Sequence, residues 1–258
     1  MSDQVLLKEI HGKVLWLTLN RPDALNSFND AMYNAVADTL NNVADDMSIA
    51  GVLITGAGRA FSAGQDLDEL GDERSYEQRQ LDGFTSFIEA VERFPKPLLA
   101  AVNGIGVGIG MTILPHCDIV LTSEAAKLRV PFTNLGLTAE AGSSFLLAQT
   151  IGWQKAADML FRSRWMTGQE AADCGLALEC VPADQLLTRA HEWSSEISAA
   201  PVASLKATKQ LLLDARLEQV RAARTRENIA FAQLLDGPAN KEALAAFAEK
   251  RSPNFEGL

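Results

Sequence analysis

Cysteine and histidine are scarce in this chain, with three of each among 258 residues. Cys117, Cys174 and Cys180 make an odd count with no C-x-x-C pair. That excludes a disulfide scaffold and fits reduced, buried thiols. His11, His116 and His191 form neither an H-E-x-x-H motif nor a Cys/His cluster, so no metal site and no bound cofactor is expected. No apolar run approaches the roughly 18 residues that a membrane span needs. Cations are in the minority: 23 Lys and Arg against 33 Asp and Glu leave a net charge of −10. Counterion release needs clustered Lys and Arg, so nucleic acids and anionic membranes are disfavoured as partners. The first ten residues lack a basic stretch followed by a long apolar one, and the last three, Glu256-Gly257-Leu258, are not a Ser-Lys-Leu address. A cytoplasmic location is expected.

Some catalytic signatures are missing as well. There is no G-x-S-x-G elbow and no G-x-x-x-x-G-K-[ST] phosphate loop. The glycines of Gly104-Ile105-Gly106-Val107-Gly108-Ile109-Gly110 fall on every second position, so the G-x-G-x-x-G dinucleotide fingerprint does not fit. What remains is an ordinary globular composition, 47% apolar and 22% charged. It is long enough for one large domain, alone or with a smaller appendage.

The first half alternates short β-rich runs with helical patterns. Strands are predicted at 14–19, 52–55, 98–102 and 119–121. Between them Met32, Val36, Leu40 and Val43 recur at helical spacing behind an Asn29 or Asp30 cap, and Phe84, Phe87, Ile88 and Val91 do the same. A polar segment around 67–79 reads as a loop or a solvated helix start, and 105–114 as a helix of small residues. This alternation predicts an α/β fold with mostly parallel strand pairing. Strand signals fade after about residue 143. Helices are predicted at 186–197, 202–213, 217–235 and 241–250, which divides the chain into a core, 1–200, and a helical C-terminal subdomain, 201–258.

Two glycine-containing turns follow buried strands. One is Arg59-Ala60-Phe61-Ser62-Ala63-Gly64-Gln65-Asp66-Leu67, and the other is Asn103-Gly104 through Gly110. Converging, they would aim two backbone N–H donors at one oxygen, an oxyanion hole. The same glycines would equally serve tight strand–helix packing.

The motif Asn20-Arg21-Pro22-Asp23-Ala24-Leu25-Asn26, the Phe61–Leu67 turn and the run from Ala101 through Cys117-Asp118 resemble the crotonase (enoyl-CoA hydratase/isomerase) superfamily. Pro131-Phe132, Leu135-Gly136 and Thr167-Gly168 through Gly175-Leu176 continue the likeness in order, over essentially the whole chain. The resemblance implies a spiral of ββα units with a helical C-terminal trimerisation region, acting as a homotrimer or dimer of trimers. It implies coenzyme A thioester substrates and oxyanion-hole amides at Gln65 and Ile109. Ala24, Leu25, Arg59 and Ala63, with Asp66 and Leu67, would line the CoA path, Arg59 near the phosphates. Deprotonation α to a thioester puts charge on its oxygen, and each preorganised donor is worth roughly 3 kcal/mol.

The two glutamates of hydratases would fall at Thr112 and Phe132, neither of which is a carboxylate, so hydration is disfavoured. Glu140 is the only acid between Glu124 and Asp158, among small and apolar neighbours. Desolvation would raise its pKa toward that of a general base; a helix beginning near Ser143 would lower it, and capping that helix is its other reading. The phrase Pro131-Phe132 … Leu135-Gly136 … Glu140 … Ser143-Ser144 resembles the 3-enoyl-CoA to 2-enoyl-CoA isomerase branch, in which a glutamate here is the base. A ring-type phenylacetyl-CoA isomerase and, less favoured by the acidic charge, a non-catalytic CoA- or RNA-binding relative are the alternatives. His116-Cys117-Asp118 reads as packing, because adjacent residues point apart. Arg221, Arg224 and Arg226 read as a solvated face or a subunit contact.

Overall fold

Strands β1 (Leu6–His11) and β2 (Val14–Leu19) open the chain as an antiparallel hairpin, and helix α1 (Asp30–Val43) follows. The computed structural model describes residues 4–66 and 83–258. The polar segment around 67–79, Leu67 included, lies outside the described residues. The elements then run β3 (Gly51–Gly56), β4 (Ala60–Ser62), α2 (Gly83–Arg93), β5 (Leu98–Val102), β6 (Ile105–Val107), α3 (Ile109–Thr112), β7 (Ile119–Ser123) and β8 (Lys127–Arg129). Next come α4 (Ser143–Ile151), α5 (Trp153–Arg162), β9 (Met166–Thr167), α6 (Gly168–Asp173) and β10 (Glu179–Val181). Four helices finish the chain: α7 (Leu186–Ala199), α8 (Val202–Asp214), α9 (Leu217–Leu234) and α10 (Pro238–Ala248).

From β3 to β8 the strands go alternately to a larger sheet and a smaller one. The larger sheet has the order β1-β2-β3-β5-β7-β10 and the smaller β4-β6-β8-β9. Beyond the β1–β2 hairpin the larger sheet is parallel, as the alternation of strands and helices predicts. Both its faces are covered, which explains the near-continuous apolar runs of β3 and β5. Leu15, Leu17, Val52, Ile54, Leu98 and Ala100 pack on the side of α1 and α2. Their alternates Trp16, Leu53, Leu99 and Leu121 pack beneath Leu186, Ala190 and Trp193 of α7.

Helix α1 starts where its cap dictates: Asn29 Oδ1 accepts the Met32 N–H at 3.0 Å. It buries Met32, Tyr33, Val36 and Leu40. Tyr33 stacks on Phe28 at 4.8 Å and meets Phe87 of α2 at 5.3 Å. Stretch 105–114, expected as one helix, is instead a strand, a left-handed Gly108 (φ 54°), one helical turn and a 3-10 turn at Leu114–His116. Glycine at every second position disfavours helix and leaves Ile105 and Val107 alternating with period two, which is a strand pattern. The C-terminal helices form at the expected places, although the last begins earlier, with Gly237 as N-cap and Pro238 inside its first turn.

Candidate active site

Strands β4 and β6 lie side by side in the smaller sheet, and each runs into one of the two glycine turns. The turns converge. A Cβ on Gly64 (φ 99°) would stand 2.8 Å from the Val107 carbonyl oxygen, and one on Gly108 would stand 3.8 Å from the Gly64 Cα. Positive φ and close approach together require glycine at 64. The first turn is stitched to the Leu25–Phe28 segment: Ala63 N–H donates to Leu25 O, Phe28 N–H to Gly64 O and Asp66 N–H to Phe28 O, all within 2.9 Å. Gly64 N–H is taken by Ser62 Oγ, and Gly108 N–H by Arg129 O. The N–H groups of Gln65 and Ile109 find no partner among the described residues. Ile109 begins α3, so its amide has no intrahelical acceptor.

Both turns wall one cavity of about 650 Å³. Of the residues predicted to form a site, Ala24, Ala63, Gln65, Ile109 and Glu140 line it together. Leu25, Arg59 and Asp66 are not among its lining. The Leu25 side chain is half-buried, and its carbonyl holds the first turn. Arg59 is exposed. The Asp66 carboxylate is paired with Arg21 at 2.7 Å. The Asn20–Asn26 motif works through its last residue: Asn26 is fully buried and donates to the carbonyls of Ala57 and Ala60, tying the motif to the start of β4.

Glu140 lines the same cavity as Gln65 and Ile109, on the loop before α4. Burial pushes its carboxyl up to about 7; the Glu227 charge adds to the rise, and a long hydrogen bond of 3.4 Å from the Thr112 hydroxyl opposes it. Glu140 does not cap α4. Glu227, arriving from α9, does: its two oxygens accept the N–H groups of Gly142 and Ser144 at 2.6 and 2.7 Å. Phe132 is buried in the cavity wall and presents an apolar ring there.

The His116-Cys117-Asp118 cluster divides as adjacent residues should. Asp118 accepts the Leu98 N–H and pairs with buried Lys209 at 2.6 Å, and burial pushes the Cys117 thiol up to about 12. Burial brings His116 down to about 4, so its imidazole is neutral, and its Nε2–H donates to Ala141 O at 2.7 Å. Arg224 is no solvated residue, since it grips buried Glu92 through two nitrogens at 2.9 and 3.3 Å. Arg221 and Arg226 are exposed. Among the described residues, no group of three His, Cys, Asp or Glu is placed to hold a metal ion, and no helix is long and apolar enough to cross a membrane.

Sequence reasoning missed Glu227, Tyr33 and the apolar wall supplied by Phe231 and Leu235. Tyr33 Oη donates to Gln65 Oε1 at 2.7 Å, steadying the side chain of the residue whose amide faces the cavity. Glu227 did carry a signal. It continues the buried stripe of Val220 and Ala223 at spacing i, i+3, i+7, where an unpaired acid is out of place.

The family model described as enoyl-CoA hydratase/isomerase matches residues 9–258. The chain is 33% identical to the 2,3-dehydroadipyl-CoA hydratase of Escherichia coli K12 over 257 residues, all of both chains. It is 30% identical to the 1,2-epoxyphenylacetyl-CoA isomerase of the same organism, covering 98% of this chain and 99% of that one. A solved enoyl-CoA hydratase/isomerase from Pseudoalteromonas atlantica T6c superposes with a TM-score of 0.92 at 35% identity, over 98% of this chain and 100% of the other.

Proposed function

The chain belongs to the enoyl-CoA hydratase/isomerase family of the crotonase superfamily, and on that premise we propose that it moves the double bond of a 3-enoyl-CoA to the 2-position. Ala24 and Ala63 border the acyl-CoA path, with Leu25, Asp66 and Leu67 beside it and exposed Arg59 meeting the CoA phosphates. The thioester oxygen sits between the Gln65 and Ile109 amides. Glu140 removes the α proton, and the electron pair of the C–H bond passes into a dienolate whose oxygen charge the two amides hold. The same carboxyl, now protonated, returns the proton to the γ carbon. The double bond ends in conjugation with the thioester, atoms balance, and no second acid or external reactant is consumed. Apolar residues exposed on the C-terminal helices, such as Leu211, Leu212 and Ile229, suit assembly as a homotrimer or dimer of trimers.

The observation that carries this reading is a buried carboxyl, Glu140, in the cavity wall, pushed up to about 7 by burial, with Thr112 and Phe132 at the places where the resemblance would put a water-activating pair. A base must be ionised to act and close to its operating pH to act well, and a carboxyl near 7 meets both demands. The relatives' names include both hydratases and an isomerase, so the choice between them rests on these side chains. The test incubates the protein with 3-enoyl, 2-enoyl and ring 1,2-epoxyphenylacetyl thioesters and follows ultraviolet absorbance and mass. Isomerisation of the 3-enoyl thioester raises enoyl-thioester absorbance with no change of mass. Rapid gain of one water by the 2-enoyl thioester, without isomerisation, overturns the reading, and turnover confined to the ring thioester replaces the acyl group.

A further inference from the structure

Glu140 stands at the head of an unusual turn. The two residues after it, Ala141 (φ 59°) and Gly142 (φ 72°), are both left-handed, and the glycine N-cap of α4 offers no side chain to the helix amides. The turn is held from two sides. His116 donates to the Ala141 carbonyl, and Glu227 accepts from Gly142 and Ser144 across 85 and 83 residues of chain. Glu227 is 5% exposed and has no salt bridge among the described residues, so the α4 amides are what offset its charge.

We propose that Glu227 is a positioning residue for Glu140, fixing the turn that carries it and placing a second buried carboxyl close to that of the base. The C-terminal helix α9 thereby helps set the pH at which the active site works. This rests on the reading of Glu140 as the base. Two independent features support it. The geometry ties both Glu227 oxygens to the Glu140 turn, and the Glu227 charge is the second cause, after burial, that raises the Glu140 carboxyl.

Asp30, Tyr33, Arg129 and Arg251 share the cavity with Glu140; Tyr33 donates to Gln65, Arg129 to the Ser163 carbonyl, and Arg251 pairs with Glu242. Thr112 on α3 donates to Glu140 itself. His116 is neutral. Arg224, one turn before Glu227, is committed to Glu92 of α2. Arg216 is bound to the Pro115 and His116 carbonyls, and Lys209 on α8 to Asp118. A Glu227 substitution therefore changes one charge facing Glu140 without releasing a cation to replace it.

The experiment titrates the side-chain carboxyls of the full-length protein by carbon NMR with labelled glutamate, the Glu140 signal being the one lost in Glu140→Gln. Glu227→Gln is expected to lower the Glu140 midpoint by about 0.5–1 pH unit, whereas Glu227→Asp, which keeps the charge, leaves it within about 0.3. A midpoint that both variants leave unmoved, or that both move alike, overturns the proposal. Should Glu227→Gln not fold, Glu227→Asp carries the test through kinetics. Its shortened carboxylate cannot span both amides, so kcat falls at least about tenfold while KM stays within about threefold. Unchanged kcat overturns the proposal. The titration needs no substrate, so it stands or falls separately from the base assignment, which near-normal turnover by Glu140→Gln would remove.

Discussion

The two halves of the cavity are built on opposite plans. On the donor side, Gln65 and Ile109 offer main-chain amides, held by strands β4 and β6 and by two glycine turns that touch. Side-chain identity there matters little. On the Glu140 side everything is side chain: a carboxyl, a hydroxyl at position 112, an imidazole at 116 and a second carboxyl at 227, drawn from four separate segments. A backbone site is rigid and indifferent to substitution unless the backbone itself moves. A side-chain site is tunable, and each of its members shifts the chemistry by a graded amount.

Substitutions that respect or violate this division should sort by size. The largest effect on the donor side is expected from Gly64→Ala, because a Cβ at φ 99° would press on the Val107 carbonyl at 2.8 Å and push the Gln65 amide out of line. A loss of about 10²–10³ in kcat is expected, with about 1–3 kcal/mol of stability, read by steady-state kinetics and denaturant unfolding. An unchanged kcat would mean that the amides are not donors in the reaction.

On the base side, Glu140→Gln tests the electrostatic strain directly. Folding raises this carboxyl from 4.5 to about 7, so its stabilising neutral form is fully present below about pH 4.5 and is lost as pH rises through about 7. Glutamine should therefore leave stability near pH 4 almost unaltered and raise it at pH 8 by roughly 1–3 kcal/mol. Equal effects at both pH values would show that the carboxyl titrates as an ordinary glutamate.

Smaller effects separate the two plans further. Thr112→Val deletes a bond that favours the charged carboxylate, so the acid limb of the kcat/KM profile should move up by a few tenths of a pH unit, with turnover within about fivefold. Gln65→Ala removes only the side chain held by Tyr33 and keeps the amide, so kcat should stay within about threefold. A loss of a hundredfold there would place the chemistry on the side chain and erase the contrast.

The contrast also explains what could be read before the structure. The two glycine turns were legible because a tight turn leaves its mark locally, in Gly64 and Gly108 after buried strands, although those glycines suited packing equally and the amides of Gln65 and Ile109 were singled out only by the family resemblance. The same glycines were misread only in their immediate frame, where Ile105 and Val107 form a strand and not a helix. Glu140 was visible as an isolated acid among small residues. Its dependence on Glu227 was not, because the pairing spans the chain from α4 to α9 and no local pattern encodes it. Thr112 could be read as a missing acid, yet its hydroxyl on Glu140 needed coordinates. Of the proposed CoA-path residues, Leu25 reveals a scaffold role, since its carbonyl docks the first turn.

One carboxyl doing both proton transfers is tested most directly by the turnover of a 3-enoyl-CoA by Glu140→Gln beside the unaltered protein. Loss of a general base predicts that kcat falls by about 10²–10⁴ while the folded protein still binds the thioester. Turnover within a few-fold of the unaltered protein would contradict the assignment.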